Sequence, residues 1–324
     1  MAGVSEPPFR ELALELGAGL TPTELISAKS LIRNGHRDPF LARNASREPI
    51  LATQLFGSDP DEMAAAGEIA AEVGASIVDV NMGCPVPKVT KRCAGSALMR
   101  DPARAKAIIL ALKRTLGKDV AVTAKIRAGW DSRSVNALEV AKTLEDAGLD
   151  AIAIHGRTRE EGYSGHSRTH LAGTLARALT IPVLANGDLD SAATADAAIR
   201  TTGCAGVMIG RAALGNPWIF RELSAAWHAR EPPPPPSPAE RVELVRRHFR
   251  SHLEHVGHVL TGIRRFRSHL AWYARGLAGA PEFIRRAQSL DELSPLLDAM
   301  DAFFSTAAWE RHERATYDER RALG

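Results

Sequence analysis

An alternation constrains this chain more than any other feature. Short runs rich in β-branched residues recur along it, each parted from the next by a stretch of helical character. The runs lie at residues 19–27, 49–56, 77–81, 120–127, 151–155, 182–186 and 206–209. The stretches 59–73, 101–116, 134–147 and 191–201 separate several of them; most open with Asp or Ser and carry Ala and Leu at helical spacing, as helix starts and buried faces do. Repeated strand-helix-strand units predict a parallel sheet with helices outside it. Nearly every run ends in a polar or glycine-containing turn: Gln54 to Gly57, Asn81 to Cys84, Lys125 to Arg127, His155 to Arg157, Asn186 to Asp188, Gly210-Arg211. Chemistry gathered at the carboxyl ends of parallel strands is the pattern of an α/β (β/α)8 TIM barrel. A doubly wound sheet would carry a glycine fingerprint after its first strand, but Gly17-Ala18-Gly19 lacks the third glycine and precedes a strand.

The run at 77–81 leads into Met82-Gly83-Cys84-Pro85, which reads as a buried strand ending in a turn that presents a thiol. Pro85 removes a donor and Gly83 permits an unusual φ, so the turn is expected to be rigid. Cys84 is then either a reactive thiol or a small buried hydrophobe. Lys88, Lys91 and Arg92 follow within one loop and favour an anionic ligand. The three cysteines, Cys84, Cys93 and Cys204, are an odd number at spacings that suit neither a disulfide framework nor a CxxC zinc site. No metal is expected. No apolar run reaches bilayer length and the N-terminus lacks a signal pattern, so a cytoplasmic location is expected.

Residues 231–238, Glu-Pro-Pro-Pro-Pro-Pro-Ser-Pro, read as a stiff linker between a domain at 1–230 and a smaller helical domain at 239–324. Helices are expected over 240–255, 263–276 and 290–311. Between Arg241 and Arg286 stand ten arginines, Arg264 and Arg267 among them, against three acids. They interleave with Phe249, Phe266, Trp272 and Tyr273, which favours a surface for a phosphate backbone over a merely solvated face. His248, His252 and His255 share one helix face and read as surface or RNA-facing groups, since nothing completes a metal site.

In barrels of this kind a phosphate commonly sits after the last two strands. Asn186-Gly187-Asp188 and Gly210-Arg211 fall there; the glycines let N–H groups approach an anion and Arg211 adds a bidentate contact. Asp188 is expected to cap the next helix or bind a ribityl hydroxyl. Lys125 at its strand end suits the negative charge of a reduced flavin ring, and Gln54 could hydrogen-bond the ring edge.

Six segments in order, residues 79–85, 94–99, 125–130, 155–159, 185–188 and 208–211, with Asn216 to Phe220 and His269 to Tyr273 after them, resemble the tRNA-dihydrouridine synthase family, closest to its bacterial B-type branch. The resemblance covers residues 1–224 and continues through 262–277. It implies an FMN enzyme that uses NADPH to reduce the C5–C6 bond of selected uridines in tRNA. Residue by residue, it implies Cys84 as the acid that protonates C5. It also implies FMN contacts from Met1, Ala2, Gln54, Lys125, His155, Asn186, Gly187, Asp188, Gly210 and Arg211. Lys88, Lys91, Arg92, Arg159, Arg168, Arg264 and Arg267 are expected to meet tRNA.

Two departures stand out. The family opens with an apolar strand ending in Ala-Pro-Met-Ala-Gly, whereas this chain opens at Met1-Ala2-Gly3, so the first barrel strand is expected to be missing, through a start codon placed too late. Ser268 stands where the family often has Lys. The rival readings are another FMN-dependent barrel oxidoreductase acting on a small molecule, and a non-catalytic tRNA-binding protein.

Overall fold

The computed structural model describes residues 3–42 and 47–307. Seven strands, β1 (Ile26–Ser27), β2 (Leu51–Phe56), β3 (Ala75–Met82), β4 (Ala121–Arg127), β5 (Ala151–His155), β6 (Val183–Asn186) and β7 (Gly206–Met208), pair in chain order, every pair parallel. With helices on the connections, this is the (β/α)8 barrel pattern.

The helices start where their sequences provide caps. The Asp59 side chain accepts from Asp61 and Glu62 N–H ahead of Pro60–Glu72. Asp101 accepts from Arg104 N–H ahead of Pro102–Leu116, and Ser191 and Thr194 form a reciprocal capping box at Ala192–Thr202. Pro60 and Pro102 hold the first helical position, where a missing N–H costs nothing.

Alternation along each strand sorts its side chains onto two faces. Val78, Val80, Met82, Val122, Ala124, Ile126, Ile152 and Ile154 point outward and form one apolar core with the helices. The other set, Gln54, Asp79, Asn81, Thr123, Lys125, Arg127, His155 and Asn186, points inward. Barrels normally fill this space with branched aliphatic residues. Here it is polar.

The strand expected over 19–27 is mostly loop: only Ile26 and Ser27 pair with β2, and Pro22 makes a single bridge to Ala52. The register slips by one residue between Pro22 opposite Ala52 and Ile26 opposite Leu55, which breaks the ladder over the residues between them. Among the described residues no helix is long and apolar enough to cross a membrane.

The chain divides into two compact units, one ending at Arg211 and the other starting at Ala212. The division falls before the proline stretch 231–238, because the helix Ile219–Trp227 belongs with the later helices. Trp218 lies edge-on to Tyr273 at 6.4 Å, and Arg221 pairs with Glu240 at 2.5 Å while donating to Pro234 O at 3.1 Å. The second unit continues with Pro238–Val256, Val259–Ala274, Ala280–Ser289 and Leu293–Thr306. The helix expected to reach 311 is described to Thr306; residues beyond 307 lie outside the described part.

His248 and His252 correct the sequence reading. They are 0% and 1% exposed, because the face they share is the one that carries Val245 and Phe249 into the core of the second unit. His248 Nδ1 meets Tyr273 Oη at 2.9 Å and His252 Nε2 meets Gly262 O at 3.2 Å. Only His255 of the three is exposed. Phe249, Phe266 and Tyr273 are buried as well, so three of the four aromatics between the arginines are core and not surface.

Candidate active site

Cys84 sits on the turn that follows β3, and the turn is held from three sides. Asn81 Oδ1 accepts from Cys84 N–H at 2.8 Å and from Gly83 N–H at 3.2 Å. Ser96 donates to Cys84 O through its N–H at 3.1 Å and its Oγ at 2.9 Å. Arg127 Nε donates to Gly83 O at 2.8 Å. Gly83 itself does not have a positive φ, so rigidity comes from these bonds and not from the glycine, contrary to the expectation from sequence. The glycine the site needs is Gly95, at φ +60°, where a Cβ would lie 2.8 Å from Cys84 O. The Cys84 thiol is half-buried. Burial pushes its pKa up, against the weaker pull of Val86 N–H and Arg127, so at neutral pH it keeps its proton.

Below the thiol runs a chain of hydrogen bonds that sequence reasoning did not assign. Asp79 accepts from Thr123 Oγ1 at 2.6 Å and from Gln54 Nε2 at 2.7 Å. Gln54 Oε1 accepts from Asn81 Nδ2 at 3.1 Å, and Asn81 in turn holds the Cys84 turn. Asp79 therefore fixes which end of the Gln54 amide points where, and burial raises its own pKa above the ordinary carboxylate range. The signal was present in the sequence: Asp79 and Asn81 alternate with Val78 and Val80 in a parallel strand, where both faces are usually apolar.

Lys125 lies beside Asn81 in the register and Arg127 beside His155. Burial, helped by Arg127 and opposed by Asp79, pushes the Lys125 ammonium down to about 7. His155 is pushed down to about 2, first by burial and then by Lys125, Arg127, Arg157 and Arg211, so its imidazole is neutral.

At the ends of β6 and β7, Asn186 Nδ2 donates to Met208 O at 2.7 Å. Gly187, at φ +111°, has no room for a side chain: a Cβ would lie 2.3 Å from Ser167 Oγ and 2.6 Å from His155 Cδ2. Gly210 faces open space, its nearest neighbour being Asn186 Nδ2 at 3.9 Å from an added Cβ. Asp188 caps no helix, since Ser191 does that. Its carboxylate takes both guanidinium nitrogens of buried Arg157 at 2.8 Å, Ser167 N–H at 2.8 Å and Arg211 at 3.4 Å. Arg157 is thus a second unassigned organiser of the site. Met1 and Ala2 lie outside the described residues.

The expected RNA contacts fall into two groups. Lys88, Lys91 and Arg92 are exposed on the segment just after Cys84. The others have neighbours already: Arg159 lies over the Trp130 ring, Arg168 pairs with Glu161, and Arg264 and Arg267 share Asp291 at 2.8 and 2.7 Å. Cys93 is exposed, and Cys204 is buried, donating to Gly206 O at 3.3 Å.

A parallel barrel with a polar bore, a protonated thiol at its mouth and an ammonium titrating near neutrality is an enzyme site fitted to move protons and stabilise negative charge. The dihydrouridine synthase (Dus) family model matches residues 1–308. The tRNA-dihydrouridine synthase B of Pseudomonas putida is 40% identical over 305 residues, covering 94% of this chain and 90% of that protein. The Escherichia coli protein of the same name is 38% identical over 308 residues, covering 95% of each. Among solved structures, a 2-naphthoyl-CoA reductase complex is similar with a TM-score of 0.54 at 12% identity, over 70% of this chain and 47% of that one. A 6-hydroxypseudooxynicotine amine oxidase from Pseudomonas geniculata has a TM-score of 0.52 at 13% identity, over 70% and 45%; both likenesses are of fold alone. The chain belongs to the dihydrouridine synthase family, and with it to the oxidoreductases.

Proposed function

We propose that this protein is a tRNA-dihydrouridine synthase, acting in the cytoplasm, that holds FMN at the barrel mouth and uses NADPH to reduce the C5–C6 bond of uridines in tRNA. The observation that carries this reading is the half-buried Cys84 thiol, kept protonated by burial and anchored by Asn81 above a polar bore. The residues present fit FMN. The inner face offers Gln54 and Lys125 to a polar ring edge, and the open space at Gly210, with Arg211 after it, suits a phosphate. Bound there and reduced by NADPH, FMN would supply the hydride for uracil C6.

The chain's own residues supply the rest. Cys84 gives its proton to C5, so the double bond gains one hydride and one proton and the thiolate left behind is reprotonated from solvent. A thiol with its pKa near or above the ordinary ~8.5 keeps its proton until the step needs it. Asn81 holds the thiol in place, Asp79 orients Gln54, and protonated Lys125 offsets negative charge at the mouth. The uridine must leave its stack to enter, and Lys88, Lys91 and Arg92 are placed to steer the RNA backbone. The test is to incubate purified protein with FMN, NADPH and tRNA lacking dihydrouridine, and to follow the gain of two hydrogens per uridine by mass spectrometry. Protein that stays colourless with FMN, or tRNA that stays unchanged, would sink the reading.

A further inference from the structure

A second recess lies off the Cys84 site. Met99, Arg100, Trp130, Asp131, Ser134 and Asn136 line a cavity of about 440 Å3, within the ~300–1,000 Å3 range of small-ligand sites. Two guanidiniums lie against the Trp130 ring, Arg100 at 4.9 Å and Arg159 at 4.8 Å from its centroid. Neither has a carboxylate partner among the described residues, and Arg159 Nε is buried with no hydrogen bond. Trp130 thus holds two positive charges in place by its π face without neutralising them.

The same cavity holds one buried acceptor with no donor, Asn136 Oδ1, and one carboxylate, Asp131. Asn136 spends its Nδ2 on Met99 O at 2.7 Å, which leaves its Oδ1 buried and without a partner. Asp131 Oδ1 takes Ser134 Oγ at 2.8 Å and Arg133 N–H at 2.9 Å. Those bonds hold its carboxyl below the usual range, so it stays anionic. A buried acceptor left empty is costly. A bare phosphate would satisfy the guanidiniums and repel Asp131; an apolar molecule would satisfy neither set. A group with N–H donors on one edge and a negative charge on the other matches both, and a nucleotide is such a group.

We infer that this cavity is a nucleotide subsite, seating one base and its phosphate from the RNA strand beside the uridine being reduced; the inference rests on the tRNA reading above. The base offers N–H groups to Asn136 Oδ1 and Asp131, and the phosphate lies on Arg100, which lines the cavity, while Arg159 adds positive charge from against the same Trp130 ring. Covalent connection places the subsite close to the thiol. Arg100 ends the short helix Gly95–Arg100, whose other end holds Cys84 O through Ser96. At ~2 Å rise per residue the two ends are roughly 10 Å apart.

The test measures tRNA affinity against salt for wild type, Arg100→Glu and Lys118→Glu. Lys118 is an exposed cation just past the far end of Pro102–Leu116. The expected result is about tenfold weaker binding for Arg100→Glu, with the slope of log affinity on log salt shallower by ~0.7–0.9, an unchanged melting midpoint, and Lys118→Glu within about twofold of wild type. Arg100→Glu binding like wild type, or Lys118→Glu losing as much, would overturn the subsite while the tRNA reading stands. So would an Arg100→Glu that loses NADPH affinity and keeps tRNA affinity. Wild-type protein that fails to bind tRNA would overturn both.

Discussion

Asp79 is a carboxylate in a parallel strand flanked by valines, and it touches no turn and no surface. Its bonds to Gln54 and Thr123 explain its presence: it sets the Gln54 amide, which sets Asn81, which holds Cys84. Asp79→Asn can flip its own amide and so lose the fixed orientation of Gln54. It is expected to shift the absorption spectrum of bound FMN and to lower activity at least tenfold, while Cys84→Ala abolishes dihydrouridine formation without changing the spectrum and keeps tRNA binding within a few-fold. A spectrum unmoved in Asp79→Asn would deny it a positioning role; normal tRNA modification by Cys84→Ala would remove that thiol as the acid. Lys125 gives a pH signature. Its pKa falls from 10.5 to about 7 on folding, so between those values the unfolded chain binds more protons than the folded one and stability contributed by this residue rises with pH. The cost of burying its charge is greatest at and below about 7. Lys125→Met is therefore expected to raise the melting midpoint more at about pH 6 than at about pH 10; equal gains would contradict the shift. Neutral His155, held at about 2, adds no titration step to the rate between about pH 5 and 8.

At the scale of elements, the helix Val259–Ala274 shows how a charge run divides its work. Ile263, Phe266, Leu270 and Tyr273 form its buried stripe, and Arg264 and Arg265 stand outside it. Arg264 and Arg267 share Asp291, whereas Arg250, Arg265, Arg285 and Arg286 are exposed with no ion pair among the described residues. If this unit binds tRNA, the unpaired arginines matter most. Arg265→Glu is expected to weaken tRNA binding several-fold and flatten its salt dependence, and Asp291→Ala, which frees two guanidiniums, to tighten binding and steepen it. Identical affinities and slopes in all three proteins would return the face to a solvated one. The element that departs furthest from expectation is the run 19–27. Its composition reads as a strand, yet a one-residue slip in register between the Pro22 bridge and the Ile26–Ser27 pairing leaves it mostly loop.

For the whole molecule, the division at Arg211 leaves the expected FMN contacts among the described residues, Gln54 to Arg211, in the first unit. FMN at about a hundredfold over its dissociation constant is then expected to stabilise that unit by ~2.7 kcal/mol. Calorimetry would show its transition move up and the helical unit's stay; an equal shift of both would place FMN contacts in the helical unit as well. Seven strand positions, the thiol on its turn and the polar strand ends were legible in the sequence, because backbone sterics and side-chain alternation are local. The burial of His248, His252 and Phe266, the capture of Asp188 by Arg157, and the roles of Asp79 and Trp130 were not. Local sequence establishes which residues share a face, and that was enough to specify a parallel barrel with chemistry at its carboxyl end. Which face meets solvent, and which carboxylate finds which cation across some thirty residues of chain, depends on packing between segments distant in sequence. Only the tertiary structure decides that.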